Sequence, residues 1–281
     1  MNAPKMYKKI RSFTWTDEVI TPESSELLVE TPLEITINRD RQVLIMFTPG
    51  MTRELVFGFL FTEGLIKEVS DVRHCDVTYR GGGEEDQVVE VDVGIREVEA
   101  LSAGAGSRRI SYSSCGICGK ENYYELKKGL GRVKSRARFS MEVLNELPKR
   151  LGELQTLYQR TGGSHAAILF DGSGRAVIQG EDMGRHNALD KVIGAALMKG
   201  ISCEDKILVS SGRASLEMIL KTARAGVPLF MAMSRPTSRA VEAAKFYNIT
   251  LLDMARGSNR IYSHARRIVG FERTRNQNPS E

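Results

Sequence analysis

Apolar residues recur along this chain at two periods. In the first hundred residues the period is mostly two. Leu33–Asn38 and Gln42–Phe47 read as strands joined as a hairpin through Asn38–Arg41. Val88–Val93 alternates valine with glutamate and aspartate, the pattern of a half-buried strand. Between these, Thr52-Arg53-Glu54 opens a helix with Leu55, Phe59 and Leu60 as its stripe and Gly64 as its stop. Gly81-Gly82-Gly83 reads as a turn.

Beyond residue 140 the period lengthens. Ser140 caps a helical stretch reaching about residue 160, with Val143, Leu144, Leu147, Leu151, Leu154 and Leu157 as the buried stripe. Pro148 cannot continue a helix interior, so the spacing predicts a kink there and a second helix after it, ended by Gly162-Gly163. Ala166–Phe170 and Arg175–Gln179 flank Asp171-Gly172-Ser173-Gly174 as a hairpin. Helices at His186–Lys199, Ala214–Ala225 and Ser238–Tyr247 then alternate with strands at Lys206–Ser210, Leu229–Met233 and Thr250–Met254. Strands alternating with helices of this length predict an α/β fold with a mixed, mainly parallel sheet.

Ser102 to Lys120 fits neither period. Five serines and four glycines fall in it, and it reads as a flexible loop. The expected organisation is a small β-rich N-terminal region over 1–101 and 121–139, the loop at 102–120, an α/β domain over 140–272, and a disordered polar tail at 273–281.

Composition narrows the function classes. At 41% hydrophobic and 27% charged residues the balance is globular. The longest apolar runs, such as Val192–Met198, fall far short of the ~20 residues a membrane helix needs, and no apolar segment follows the basic start. Forty basic against 35 acidic residues give +5, enough to favour an anionic ligand but not the concentrated basic block of a nucleic-acid coat. Neither a membrane nor nucleic acid is the expected partner. The four cysteines, Cys75, Cys115, Cys118 and Cys203, are too few for a disulfide scaffold, which places the chain in the reducing cytoplasm.

Two segments carry chemistry. The first is Cys115-Gly116-Ile117-Cys118, inside the Ser/Gly-rich loop. Two thiols at this spacing can hold a metal, form a redox disulfide, relay sulfur or be inert. A tetrahedral zinc site needs two more ligands, and none stands at pair spacing, so no metal is expected. Arg108, Arg109 and Lys120 favour the thiolate, the form that attacks sulfur and becomes a persulfide.

The second is a repeated design at strand ends. Gly184-Arg185-His186, Ser210-Ser211-Gly212-Arg213, Ser234-Arg235-Pro236-Thr237 and Ala255-Arg256-Gly257-Ser258-Asn259-Arg260 each bring small residues and an arginine. Singly each is ordinary turn and capping chemistry. The three that enter helices belong to one carboxyl edge of a parallel sheet, where helix starts and arginines bind phosphates. Together the four read as a polyphosphate or nucleotide site. His186, opening a helix directly after Arg185, joins the candidates; His165, ahead of an apolar strand, reads as structural. No Walker, H-E-x-x-H or G-x-S-x-G sequence is present, nor the H-x-E and P-C-x-x-C pair of the zinc deaminases.

The run Ser114-Cys115-Gly116-Ile117-Cys118-Gly119, then Glu181-Asp182-Met183-Gly184-Arg185-His186-Asn187-Ala188-Leu189-Asp190-Lys191, then Ser234-Arg235-Pro236-Thr237 and Ala255-Arg256-Gly257, resembles the formate dehydrogenase accessory protein family FdhD/NarQ. The resemblance spans about residues 20 to 270. It implies a cytoplasmic sulfur carrier that takes sulfur from a cysteine desulfurase and passes it to the bis-molybdopterin guanine dinucleotide molybdenum cofactor before insertion into formate dehydrogenase. It implies a C-terminal domain similar to the three-layer cytidine deaminase fold without its zinc, and a homodimer is expected. By position Cys115 matches the persulfide-bearing cysteine and Cys118 its partner. Met254, Ala255, Arg256, Gly257, Ser258 and Asn259 match the cofactor-binding stretch, with Ser258 where many relatives have glycine. The residues alone leave two competing classes, a thiol–disulfide oxidoreductase and a zinc-stabilised nucleotide-binding module.

Overall fold

The computed structural model describes residues 5–81, 87–96, 109–112, 129–255 and 259–270. In the N-terminal part, β1 (Tyr7–Thr16) and β2 (Val19–Leu28) form an antiparallel ribbon closed by Asp17 and Glu18, both at positive φ. Next come β3 (Thr31–Ile37) and β4 (Arg41–Phe47), turned through Asn38 and Arg39 at φ 50 and 62, a hairpin geometry that asparagine tolerates. Helix α1 (Thr52–Thr62) follows, then β5 (Val72–Arg80), β6 (Val88–Ile95) and β7 (Arg109–Tyr112). The five strands pair in the order β5-β6-β3-β4-β7.

Strand β7 lies inside the segment whose composition predicts a loop. It pairs in parallel with Gln42–Ile45 of β4. Four residues are too few for an alternation to stand out from the serines and glycines around them. The rest of 102–120, with Cys115 and Cys118, lies outside the described residues, as does the tail at 273–281.

The C-terminal part contains β8 (Phe139–Ser140), α2 (Met141–Leu154), α3 (Thr156–Thr161), β9 (His165–Phe170), β10 (Ala176–Asp182), α4 (Arg185–Met198), β11 (Ile207–Arg213), α5 (Leu216–Arg224), β12 (Leu229–Ser234), α6 (Ser238–Phe246), β13 (Thr250–Asp253), β14 (Arg260–Ser263) and β15 (Ile268–Val269). Six strands pair in the order β10-β9-β11-β12-β13-β14, while β8 pairs with β15. The sheet is mixed but not mainly parallel: only β11–β12 and β12–β13 are parallel, and the other three pairings are antiparallel. The tight turn at Asp171–Gly174 forces β9 and β10 antiparallel. Strand β14 returns after a short loop with no crossover helix, which also requires an antiparallel partner.

Alternate strand residues feed two cores. Ala167, Leu169, Leu208, Phe230 and Leu251 pack under α4, α5 and α6. Ala166, Ile168, Phe170, Val209 and Met231 pack against Leu144, Leu147 and Leu151 of α2. Each fully buried large side chain contributes roughly 1.5–3 kcal/mol.

Helix α2 runs through Pro148 without a break, and the interruption falls at Gln155 instead. The three leucines of its buried face hold it across the missing hydrogen bond. The Glu181 carboxylate then accepts from Leu157 N at 2.8 Å and Tyr158 N at 2.9 Å, fixing a new helix start after Gln155. Gly162, at φ 67, ends α3 as expected. Residues 130–139, grouped by sequence with the N-terminal region, contact the C-terminal part. Val133 is bonded to Tyr247 and Asn248, and Arg267 donates to Ser135 O.

The two parts meet through α1 and α4. Helix α1 is buried nearly all round because it lies between the five-stranded sheet and α4. Glycines allow the crossing: a Cβ on Gly58 would stand 1.9 Å from Asp190 O, and one on Gly194 would stand 1.9 Å from Glu54 O.

Candidate functional site at the carboxyl edge of the sheet

Register places four strand ends on one edge. Asp182, the last residue of β10, faces His165, the first of β9, while Ser210 of β11 faces Ala167. Arg213 stands beside Ser234 of β12, and Ala232 beside Asp253 of β13. The predicted junctions therefore lie in one row, including the one that does not lead into a helix.

Helices α4, α5 and α6 start from this row. Ser215 Oγ accepts from Met218 N and Thr237 Oγ1 from Ala240 N, so α5 and α6 each have one orphan N–H capped. At the start of α4 stands Gly184, with no side chain to cap it. Arg185, the first residue of α4, lies across Gly212, where an added Cβ would come within 3.0 Å of Arg185 Cδ. Among the described residues, Arg185 Nε is buried and donates to no acceptor. Arg213 and Arg235 are exposed along the same row. The two carboxylates nearest the edge, Asp182 and Asp253, are fully buried and occupied. Asp253 accepts from Ala255 N and from the Tyr262 hydroxyl, and burial together with Asp253 raises the Tyr262 pKa. Among the described residues the edge thus combines exposed arginines with two buried, occupied carboxylates, a charge pattern that favours anions.

His186 points inward. It is buried, with Nε2 3.4 Å from Ser215 Oγ and 3.7 Å from Glu217 Oε2, and it joins α4 to α5. His165 lies at the edge instead, with Nδ1 3.2 Å from Ser211 Oγ, which also accepts from Ala166 N. Burial first, then Arg185, lowers the His165 pKa and favours the neutral ring. Sequence position gave no sign of this, because His165 reads only as the residue ahead of an apolar run. Met254 follows β13 with its N–H bonded to Ala232 O, Ala255 is buried, and Asn259 is exposed near Asn145. Arg256, Gly257 and Ser258 lie outside the described residues.

Most of the long polar run at 181–191 serves the fold. Asp182 accepts from Thr48 N, Gly184 N and Asn187 Nδ2. Asn187 also donates to Met46 O, and Lys191 to Thr48 O and Glu181 O. Further along α4, Asp190 accepts from Thr62 Oγ1 and Lys221 Nζ. Burial alone would lower the Lys221 pKa, but Asp190, Glu63 and Glu217 around it raise it, so it stays an ammonium.

The two described cysteines are poor nucleophiles. Burial raises the Cys75 thiol and pushes Cys203 up to about 11. No three His, Cys, Asp or Glu side chains group as a metal site among the described residues, and no helix among them is long and apolar enough to cross a membrane.

These features define a mixed α/β protein with a row of arginines at one edge of its sheet. The chain belongs to the FdhD/NarQ family, whose model matches residues 28–269. It is 38% identical to the sulfur carrier protein FdhD of Thermoplasma acidophilum over 252 residues, covering 88% of both chains. It is 37% identical to that of Sulfurisphaera tokodaii, covering 93% of this chain and 99% of the relative. A crystal structure of a formate dehydrogenase accessory protein from Desulfotalea psychrophila shares the fold, with TM-score 0.72 and 23% identity over 94% of this chain and all of that one.

Proposed function

We propose that this chain is a sulfur carrier serving formate dehydrogenase. It takes sulfur from a cysteine desulfurase onto Cys115 and delivers it to the bis-molybdopterin guanine dinucleotide molybdenum cofactor, which is its substrate. In the loading step the Cys115 thiolate attacks the outer sulfur of the desulfurase persulfide. The sulfur–sulfur bond of the donor breaks, the desulfurase cysteine leaves as a thiolate, and Cys115 holds the persulfide. In delivery the Cys118 thiolate attacks the inner sulfur of Cys115 and releases hydrosulfide to the cofactor. The sulfane sulfur gains two electrons, the two thiols become a disulfide, and a dithiol reductant resets the pair.

The observation that carries the docking half of this reading is the row of Arg185, Arg213 and Arg235 at the ends of β10, β11 and β12, matched to a ligand with two pyrophosphates. Strand β7 supports the delivery half. Its last residue, Tyr112, pairs with Ile45, next to Met46, whose carbonyl accepts from Asn187 in the first turn of α4. Cys115 follows three residues later, a reach of at most ~11 Å from the end of that strand. The arginine row and Met254–Asn259 would hold the nucleotide phosphates, on a domain similar to the cytidine deaminase fold, and the work would take place in the cytoplasm.

Intact-mass spectrometry after incubation with a cysteine desulfurase and cysteine tests the chemistry. The expected result is one added sulfur on the parent and on Cys118→Ser, and none on Cys115→Ser, because a serine oxygen holds no persulfide. Equal partial loss in both variants would overturn Cys115 as the sole carrier. One zinc per chain, lost with both cysteines, would favour a metal-stabilised module instead.

A further inference from the structure

Residues 131–139 cross beneath the C-terminal sheet as an extended strap. Their exposure alternates. Val133 and Phe139 are buried and Ser135 and Ala137 half-buried, while Arg132, Lys134, Arg136 and Arg138 are all exposed. A period of two is the pattern of an extended chain, so the four cations stand on one side, ~7 Å apart over ~20 Å. The inward side attaches the strap. Val133 N donates to Tyr247 O, just ahead of β13, and Asn248 Nδ2 donates to Val133 O. Ser135 Oγ donates to Glu204 O, ahead of β11, and Ser135 O accepts from the buried Arg267. Phe139 pairs with Ile268. The strap therefore runs along the amino ends of β11 and β13, the edge opposite the one where Arg185, Arg213 and Arg235 stand.

The fold accounts for the inward residues but not for the outward ones. No Asp or Glu stands between Glu125 and Glu142 in the sequence. Among the described residues no ion pair includes any of the four cations, and Asp205, next to Glu204, is taken by Lys206. Like charges ~7 Å apart lie within the ~8 Å screening length of physiological salt, so the row repels itself and attracts a polyanion. We propose that the strap is a docking surface for an extended acidic segment of a partner protein, with a carboxylate at every second residue. Spacing selects that chemistry, because alternate side chains of an extended chain repeat at ~7 Å on one side, the interval of the cations. The flanks select a protein over a nucleic acid. Exposed apolar side chains stand at both ends of the row, Phe246 beside Tyr247 and Val269 paired with Ser140. A protein partner covers such residues next to its polar contacts. Single-stranded nucleic acid stacks its bases on successive aromatic rings, and Phe246 is a single ring. The strap has this role whether or not the chain carries sulfur.

Fluorescence anisotropy with the full-length protein is the test. The probe is a labelled dodecapeptide of alternating glutamate and serine. Its isomer with the glutamates in one block has the same charge but, when extended, turns half of them away from the strap. The alternating peptide is expected to bind at low salt, more tightly than the isomer, and to weaken as salt rises. Lys134→Ser combined with Arg136→Ser should raise its dissociation constant about tenfold, the loss of two exposed ion pairs. Arg132→Ser combined with Arg138→Ser, at the ends of the row, should do the same. All four side chains point outward, so the melting temperature of both double variants is expected to match the parent's or exceed it. No binding of the alternating peptide, equal affinity for the two peptides, or equal affinity of parent and variants overturns the proposal. An oligothymidylate of the same length that binds more tightly than the peptide, and loses that affinity in the variants, assigns the strap to nucleic acid and also overturns it. Variants that melt well below the parent give the cations to the fold instead.

Discussion

Lys191 Nζ lies 2.8 Å from Asp182 Oδ2, and both side chains are withdrawn from solvent. The pair sits where β4 ends: Thr48 donates its N–H to Asp182 and lends its carbonyl to Lys191. Two opposite charges in the interior are tolerable because each also has hydrogen bonds to backbone groups. The same contacts fix β4, and with it the neighbouring β7, against the start of α4. A buried ion pair here therefore positions the strand that leads toward the C-x-x-C pair.

Lys191→Met should destabilise the protein by about 3–5 kcal/mol, because it strands the Asp182 carboxylate without its counter-charge. Urea unfolding followed by circular dichroism gives the value. A loss below 1 kcal/mol would mean that the two parts do not depend on this pair.

Gly58→Ala tests the helix crossing. The new methyl would overlap Asp190 O at 1.9 Å, a backbone atom that cannot rotate away. Helices α1 and α4 must separate, and a cost of ~3 kcal/mol is expected. Gly172→Ala is the control, since nothing lies within 4 Å of its added Cβ. Thermal melts of both variants decide whether crowding or glycine loss is responsible.

Which features were legible in the sequence follows from these contacts. The hairpin through Asn38, the helix starting at Thr52, and every element from β9 to β13 announce themselves by period and by their turns. Pro148 misleads because the rule against proline weighs one missing hydrogen bond, while Leu144, Leu147 and Leu151 weigh the packing. The β1–β2 ribbon has no buried stripe to betray it. At 181–191 the residue types resemble ligands, yet Asp182, Asn187, Asp190 and Lys191 spend their polarity on Thr48, Met46, Thr62 and Lys221. All but the Lys221 contact span more than a hundred residues, and such contacts leave no local periodic mark. The shared edge was legible because strand–helix alternation orders the strand ends, whereas His165 required the register of β9.

His165 should titrate below an ordinary histidine. Burial and the nearby Arg185 both disfavour the imidazolium, while Asp182 opposes them. The unfolded chain then takes up this proton at higher pH than the folded one. The stability tied to His165 is complete above the unfolded value and falls as pH drops through it toward the folded value. Arg185→Ala removes one of the two depressing causes, so the midpoint should rise. Proton NMR of the His165 ring in the parent and Arg185→Ala measures both; an unmoved midpoint would show that Arg185 does not act on this ring.

Guanosine diphosphate should bind the sheet edge, since it reproduces one arm of the proposed cofactor. The start of α4 offers uncapped N–H groups, Arg185 offers a buried Nε, and Arg213 and Arg235 offer exposed guanidiniums along the same row. Arg185→Ala should weaken binding by about 1.5–3 kcal/mol, the range for a hydrogen bond to a charged group. Arg213 and Arg235 are solvated, so each alanine variant should cost less and lose most of its effect as salt rises. Arg256, in the family-matched stretch, should behave like Arg185. All four variants should still accept sulfur on Cys115, because loading and docking use different residues. Calorimetry with the nucleotide, run beside the mass assay, separates the halves. If Arg185→Ala and Arg256→Ala bind as tightly as the parent, the edge is not the docking site. If they also fail to load sulfur, docking and loading are a single event rather than two.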